Sequence, residues 1–144
     1  MFTYQINLEY LGTNFVGWQF QKNGVSVQEV LEKALSKFLK DKIKVIGSGR
    51  TDAGVHAKGQ SAHFKTNIKI DYKDNFISSM NFFLRKYPVS ILSLRKRSKM
   101  FHARHSAKKR TYKYFIINRF SSLVLDKTKA EVKKALISAE LINE

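Results

Sequence analysis

One carboxylate stands out by its surroundings in the stretch Gly49–Ala57, whose sequence is GRTDAGVHA. Asp52 lies two residues after Arg50 and two residues before Gly54, in a chain that is otherwise strongly basic. An ionised carboxylate can act as a nucleophile or as a proton acceptor, and a nearby guanidinium favours the ionised state. Gly54 permits a sharp turn of the backbone that a residue with a side chain would adopt at a cost. The stretch, called the signature loop from here on, is therefore predicted to be a catalytic loop with Asp52 as its reactive group.

The net charge predicts a polyanionic partner. The 144 residues include 27 Lys and Arg against 11 Asp and Glu, a formal charge of +16, and the excess continues along nearly the whole chain. A solubilising surface ordinarily mixes both signs and keeps the net charge of a small domain near ~2–8 in magnitude. Nucleic acid is the simplest partner for such a chain.

Several classes of chemistry and location are disfavoured by composition. The chain has no cysteine, which argues against disulfides, thiolate chemistry and most structural zinc sites. His102 and His105 lack a nearby carboxylate or cysteine pattern, so no metal site is expected. The N-terminus runs directly into a strand pattern, and no stretch approaches the ~20 apolar residues of a membrane helix. We therefore expect a soluble cytoplasmic protein without a membrane partner.

Hydrophobic periodicity predicts the elements that would position the signature loop. Ser26 and Glu29 form a capping box ahead of an amphipathic helix. Strands are predicted over 42–48 and 59–65, one on each side of the signature loop. The remaining predicted elements are a helix over 71–84 that is followed by the only proline, Pro88, strands over 90–97 and 110–118, and a last helix that begins with a capping box at Thr128 and Glu131.

The order of these elements predicts an α+β fold. The sequence β-α-β-β-α-β suits a ferredoxin-like antiparallel sheet with helices on one face and the other face free for a ligand. A chain of 144 residues fits one such domain. On an alternating strand over 110–118, Arg110 and Tyr112 would share one face and could address the same ligand. Tyr114 falls on that face too, but we expect it to be an ordinary, half-buried strand aromatic.

Four blocks of sequence follow one another in a recognisable order. They are YLGTNFVGWQ at 10–19 with SVQE at 26–29, the signature loop with the Gly59-Gln60 that follows it, FHAR at 101–104 and RTYKY at 110–114. Together they resemble the motifs of the TruA-type tRNA pseudouridine synthases. Four blocks in the right order over most of the chain make chance similarity a poor explanation.

The resemblance implies a cofactor-independent enzyme that isomerises uridine to pseudouridine in tRNA, with the anticodon stem-loop as its target. Asp52 matches the family's essential aspartate, and Tyr112 matches a tyrosine that stacks on the target uracil and could also relay the C5 proton. Arg50 is a second predicted substrate-binding residue. Three actions of Asp52 stay open: addition to C6, capture of C1′, or removal of the C2′ proton. The competing interpretation of Asp52, a turn or helix-cap aspartate, is common in general but loses weight against four matching blocks.

The resemblance also predicts residues that contact RNA and a further half of the enzyme. Phe101, His102, Ala103, Arg104 and His105 match a family segment that contacts tRNA, and Arg110 would add a phosphate contact. Phe101 could instead be a core residue, and Trp18 in the block at 10–19 could either reach the RNA, brace the catalytic loop or be buried. Chains of this family carry a second, related half, and the two halves pack with the active-site cleft between them. We therefore expect residues 1–144 to be the N-terminal half, and the full protein to be a homodimer that binds tRNA.

Two other classes of function compete with the enzyme. A non-catalytic basic RNA-binding module would account for the charge, but the chain lacks the aromatic signature of the four-stranded RNA-binding domains. A basic ribosome-associated structural protein would leave the signature loop without a purpose.

Overall fold

The computed structural model describes residues 1–119, 121–125 and 131–133, which fall into two compact units, Met1–Lys108 and Lys109–Glu144. The first unit consists of β1 (Phe2–Tyr10), a single 3-10 turn (Gly12–Asn14), α1 (Val27–Leu39), β2 (Val45–Gly47), β3 (Ala57–Thr66), α2 (Lys73–Leu84) and β4 (Val89–Arg97). Its strands form one sheet in the order β2-β3-β1-β4, and every pair of neighbours is antiparallel. The predicted α+β fold, with a ferredoxin-like antiparallel sheet and two helices, is confirmed.

Helix α1 begins where the capping box places it. The Oγ of Ser26 accepts a hydrogen bond from the backbone N–H of Glu29 at 3.2 Å, which satisfies one of the free donors of the first turn. The helix ends at Lys40, whose φ of 49° is left-handed. Six of its apolar positions are buried, namely Val27, Val30, Leu31, Ala34, Leu35 and Leu39, and Phe38 is partly buried.

The hydrophobic core lies between the sheet and the two helices. Alternate residues of β1, from Tyr4 to Tyr10, are buried on the helical side, because side chains of a strand point to its two faces in turn. Phe64 of β3 stacks on Tyr4 at a ring separation of 5.7 Å and on Phe76 of α2 at 6.1 Å. The sheet is therefore fixed against α2 by stacked rings.

The opposite face of the sheet is polar and only partly open. Arg97 donates from Nε to Gln5 Oε1 at 2.7 Å, and Gln5 Nε2 donates to Ser61 Oγ at 2.7 Å. His63 belongs to this face because it pairs with Gln5, yet it is only 1% exposed. The expectation that this face is free for a ligand holds only in part, because Phe101, His102 and Ala103 pack on His63.

The second unit departs from the predicted elements. Only Ile116–Asn118 of the predicted strand over 110–118 forms a strand, β5, which pairs in parallel with β6 (Glu131–Lys133). Residues 110–115 are exposed and have no regular structure, so the argument that placed Arg110 and Tyr112 on one strand face fails. Tyr114 is 86% exposed, which makes the half-buried interpretation wrong. Aromatic residues favour strands only where a neighbouring strand and a buried face exist.

The predicted last helix after Thr128 lies mostly outside the described residues. The three described residues of that region, Glu131–Lys133, are a strand rather than a helix. None of the described helices has the length and apolar composition required to span a bilayer.

Candidate active site

The signature loop connects β2 to β3 and exposes its carboxylate. Asp52 is exposed, and its backbone carbonyl accepts a hydrogen bond from Val55 N–H at 3.2 Å, which closes a turn. Gly54 lies inside this turn with a φ of 80°, a conformation that glycine adopts without strain, so its predicted role in a sharp turn is confirmed. The main chain therefore turns at Asp52 and leaves the side chain on the surface, where a substrate could reach it.

The loop after β1 holds the signature loop from one side. Trp18 N–H donates to the carbonyl of Thr51 at 2.9 Å, and Gly54 N–H donates to the carbonyl of Phe15 at 3.4 Å. Gly17 has a φ of 110°, and a Cβ at this position would lie 2.6 Å from the carbonyl oxygen of Thr51. The residue just before Asp52 is thus fixed by backbone contacts that only glycine allows at position 17.

A second glycine fixes the far end of the turn. Gly12 N–H donates to Nδ1 of His56 at 2.8 Å, which leaves the proton of a neutral imidazole on Nε2. A Cβ at Gly12 would collide with the carbonyl oxygen of Val55. His56 therefore anchors the signature loop to the loop after β1, a role that the sequence reasoning did not assign to it.

Two aromatic rings lie beneath these contacts. Tyr10 OH and Thr51 Oγ1 are hydrogen bonded at 2.9 Å, and burial raises the pKa of the Tyr10 phenol above its ordinary value. Trp18 is 3% exposed and packs against Gly47, whose absent side chain leaves room for the indole. Of the three interpretations of Trp18, contact with RNA is thus disfavoured, and the residue is a buried one that braces the loop.

Arg50 and Asp52 share the signature loop, and both are exposed. Among the described residues the ion pairs do not include one between them. The influence of Arg50 on the Asp52 carboxylate therefore stays a prediction, as does its contact with a substrate.

The segment with the predicted RNA-binding residues 101–105 packs on the polar face of the sheet at His63. Ala103 is buried, and its N–H donates to Nδ1 of His63 at 3.1 Å. Phe101 packs edge-on against the His63 ring at 5.8 Å, and the guanidinium of Arg97 lies 5.1 Å from the Phe101 ring centre. We call residues 98–106 the cover segment. Phe101 and Ala103 are occupied with packing, so their predicted contact with RNA has no direct support here.

The remaining residues of the cover segment keep their side chains accessible. Arg104 and His105 are exposed, and the ring of His102 lies between those of His63 and His105, at 4.9 and 4.3 Å. Burial, together with the charges of His102 and Lys65, lowers the pKa of His63 to about 4. Partial desolvation and the neighbouring His105, Lys65 and Arg104 lower the pKa of His102 as well. The imidazoles of His63 and His102 are therefore neutral near pH 7 and lie in a positive potential.

The predicted site residues are divided between the two units. Asp52 and Arg50 lie in one loop, and the residues from Phe101 to His105 lie in the cover segment of the same unit. Arg110 and Tyr112 belong to the second unit; the exposed side chain of Tyr112 has an accessible fraction of 62%. The described residues contain no group of three His, Cys, Asp or Glu side chains that could hold a metal ion.

Comparison with known proteins gives one family. The sequence pattern of the family described as tRNA pseudouridine synthase matches residues 7–106. A protein named tRNA pseudouridine synthase A from Pelagibacter ubique (strain HTCC1062) is 55% identical over 127 residues, which are 88% of this chain and 52% of that protein. Proteins of the same name from Ehrlichia ruminantium (strain Gardel) and Ehrlichia canis (strain Jake) are 46% and 43% identical, over 88% and 96% of this chain and 52% and 60% of their own lengths. The chain thus spans little more than half the length of these curated relatives.

Proposed function

The chain belongs to the tRNA pseudouridine synthase family, and from that premise we propose that the complete protein converts uridine to pseudouridine in tRNA. The observation that carries the proposal is the exposed carboxylate of Asp52, on a turn that backbone contacts fix at Thr51 and at Val55. A rigid main chain around a reactive group is what positional catalysis requires. The basic composition, with a formal charge of +16, suits a substrate rich in phosphates.

The proposed reaction has balanced bonds and needs no redox partner. The bond between N1 of uracil and C1′ of the ribose breaks, the base turns, a bond forms between C5 and C1′, and the C5 proton is exchanged for one on N1. Asp52 would assist as a carboxylate, by adding to C6, by capturing C1′ or by removing the C2′ proton. Each of these actions requires the carboxylate to approach a base that has left its helix.

Further parts of the proposal rest on the family resemblance. Tyr112 would stack on the target uracil, Arg50 would contact the substrate, and Arg110 with the cover segment would contact RNA. Residues 1–144 would be the N-terminal half of a protein whose second half completes the cleft. The anticodon stem-loop as target, a homodimeric assembly and a cytoplasmic location belong to the same proposal.

The first prediction tests the catalytic assignment directly. In the protein of natural length, Asp52→Asn should lower tritium release from tRNA carrying C5-tritiated uridine by at least about 1,000-fold, because the amide can act neither as nucleophile nor as base. Affinity for tRNA, measured by filter binding, should stay near that of the unchanged protein. Asp71→Asn is the matched control, since Asp71 is an exposed carboxylate that pairs with Lys69 on the surface.

The outcomes separate the two candidate functions. Loss of tritium release with intact binding supports the isomerase. Full tritium release from the Asp52→Asn protein would refute the assignment of Asp52. A natural-length protein that binds tRNA but releases no tritium would favour the non-catalytic RNA-binding module.

A further inference from the structure

A solvent-open pocket of about 280 Å³ lies beside the cover segment, on the side of the short edge strand β2. Its lining includes Lys42, Lys44, Ile46, His63, Lys65 and His102. His63 and Ile46 are register partners on β3 and β2, so the sheet itself forms the floor at this point. The pocket is therefore built in part by the β2–β3 strand pair, and its cations come from β3, at Lys65, and from the segment that leads into β2, at Lys42 and Lys44.

The charges around this pocket have one sign. Lys42, Lys44 and Lys65 contribute ammonium groups, whereas no carboxylate lines the pocket among the described residues. Lys44 has an ion pair with Glu32 at 3.4 Å, and the ion pairs of the described residues include neither Lys42 nor Lys65. The ammonium groups of Lys42 and Lys65 are therefore the ones whose repulsion an anion in the pocket would relieve.

The two imidazoles that line the pocket lie close to one of these cations. Lys65 is among the causes that lower the pKa of His63 and that of His102. A neutral His102 can also donate a hydrogen bond from its ring, because its Nδ1 accepts the His105 N–H and the proton is then on Nε2. The pocket thus combines cationic attraction with a neutral donor, which suits a phosphate oxygen.

We propose that this pocket binds a backbone phosphate of the RNA substrate, remote from the uridine that reacts. The inference rests on the proposed function and adds to it the place of one phosphate contact. Lys65 lies eight residues along β3 from Ala57, where the signature loop ends, which is about 27 Å at ~3.4 Å per residue. A phosphate here positions the RNA and takes no part in the reaction at Asp52.

The distance makes the effect on kinetics specific. In the natural-length protein, Lys42→Gln with Lys65→Gln should raise KM for tRNA about 10-fold and leave kcat unchanged, because the lost contact is equal in ground and transition states. The slope of log K against log salt should become shallower by about 1, as for one lost phosphate contact. The charge-matched control is Lys33→Gln with Lys86→Gln. Lys33 lies on α1 and is already paired with Glu29, and Lys86 lies in the turn after α2. That protein should keep both KM and the salt slope.

Three results would overturn the proposal. One is an unchanged KM and salt slope in the pocket variant, and another is an equal loss in the control variant. The third is a pocket that binds free anions only. In that case inorganic phosphate would stabilise the unchanged protein more than the Lys42→Gln, Lys65→Gln protein, while both proteins would bind tRNA with equal affinity. Because filter binding does not depend on isomerisation, failure of the pocket is distinguishable from failure of the proposed function. The latter would show as absent tritium release in the unchanged protein.

Discussion

The signature loop and the cover segment are both irregular stretches that contact β3, but different forces fix them. Main-chain hydrogen bonds and glycine contacts hold the loop, at Thr51 and Gly54. Side chains hold the cover segment, with a buried imidazole at its centre and the Arg97 guanidinium above Phe101. The residues beside the reactive group are therefore held mainly by the backbone, with Tyr10 and His56 as side-chain supports, and the basic surface is held by side chains.

This difference separates what pH and charge can disturb in the two regions. Peptide N–H and carbonyl groups do not titrate, so the hydrogen bonds that hold Thr51 and Gly54 on either side of Asp52 do not depend on ionisation, whereas the far end of the loop also uses the Nδ1 of His56. The cover segment depends on His63, whose Nδ1 must be unprotonated to accept the Ala103 N–H. We expect the part of the loop beside Asp52 to respond mainly to backbone changes and the cover segment to respond to acid.

Among the changes that test this comparison, the largest effect is expected from Gly17→Ala, which would disturb the loop and spare the cover segment. A methyl group at a φ of 110° is strained, and it would lie 2.6 Å from the Thr51 carbonyl oxygen, so the signature loop must move. Strain of this kind costs about 1–3 kcal/mol. Displacement of a reactive group by ~1 Å lowers turnover about 100-fold, so kcat for tritium release should fall by that order.

A matched glycine shows whether geometry is the cause. Gly59→Ala lies in β3 without a positive φ, and no atom of the described residues lies within 4 Å of the place its methyl group would take, so activity and stability should be kept. Protection of the Ala103 amide from hydrogen exchange should be unchanged in the Gly17→Ala protein. Equal losses of kcat in both glycine variants would contradict the idea that the loop is held at Gly17.

Sequence reasoning succeeded where local pattern and burial coincide. The capping box at Ser26 and the apolar spacing after it define α1, and the two strands beside the signature loop follow from alternation. It failed over 110–115, because alternating aromatics look like a strand whether or not a neighbouring strand is present. A local pattern states what a segment could pair with, and tertiary structure decides whether it pairs.

The contacts that hold the site in place could be predicted from the sequence far less well than the reactive residue itself. The Gly12–His56 and Ala103–His63 hydrogen bonds join residues 44 and 40 positions apart, a separation that no periodicity reports. Gly12 and Gly17 did carry a signal, since glycine outside a regular element marks a close approach of two backbones. A single histidine in the middle of β3 carried none.

A smaller effect is expected from Tyr112→Ala, which sharpens the comparison because Tyr112 lies in neither region. Stacking on one base contributes about 1–3 kcal/mol, so kcat should fall about 10-fold if Tyr112 holds the detached uracil. Affinity for whole tRNA should change much less, since phosphates dominate it. Tyr112→Phe keeps the stacking surface, so a large loss in that variant would point to the hydroxyl and proton relay instead. Equal losses of kcat and affinity in Tyr112→Ala would indicate a structural tyrosine.

The last prediction concerns pH and is confined to the cover segment. At neutral pH it expects no change, and on acidification it expects a loss of stability. The pKa of His63 is about 4 in the folded protein against 6.5 ordinarily, so the unfolded chain takes up a proton first as pH falls. The contribution of neutral His63 to the free energy of unfolding is therefore fully present above about pH 6.5. It decreases towards pH 4 by about 1.4 kcal/mol per pH unit, and by ~3 kcal/mol at most. Over that window the Ala103 amide should lose hydrogen-exchange protection before the Trp18 amide, which is bonded to a carbonyl.

The matched variant His63→Asn isolates this imidazole from the carboxylates that also titrate in acid. Asparagine keeps an acceptor for the Ala103 N–H but has no proton to gain, so its free energy of unfolding should vary less with pH between 6.5 and 4. Its absolute stability is lower because a smaller side chain leaves part of the buried site empty. The slope with pH, rather than the value, is thus the measurement. Parallel curves for the two proteins would show that His63 does not hold the cover segment through its ionisation, and the contrast between a backbone-held loop and a titratable cover segment would fail.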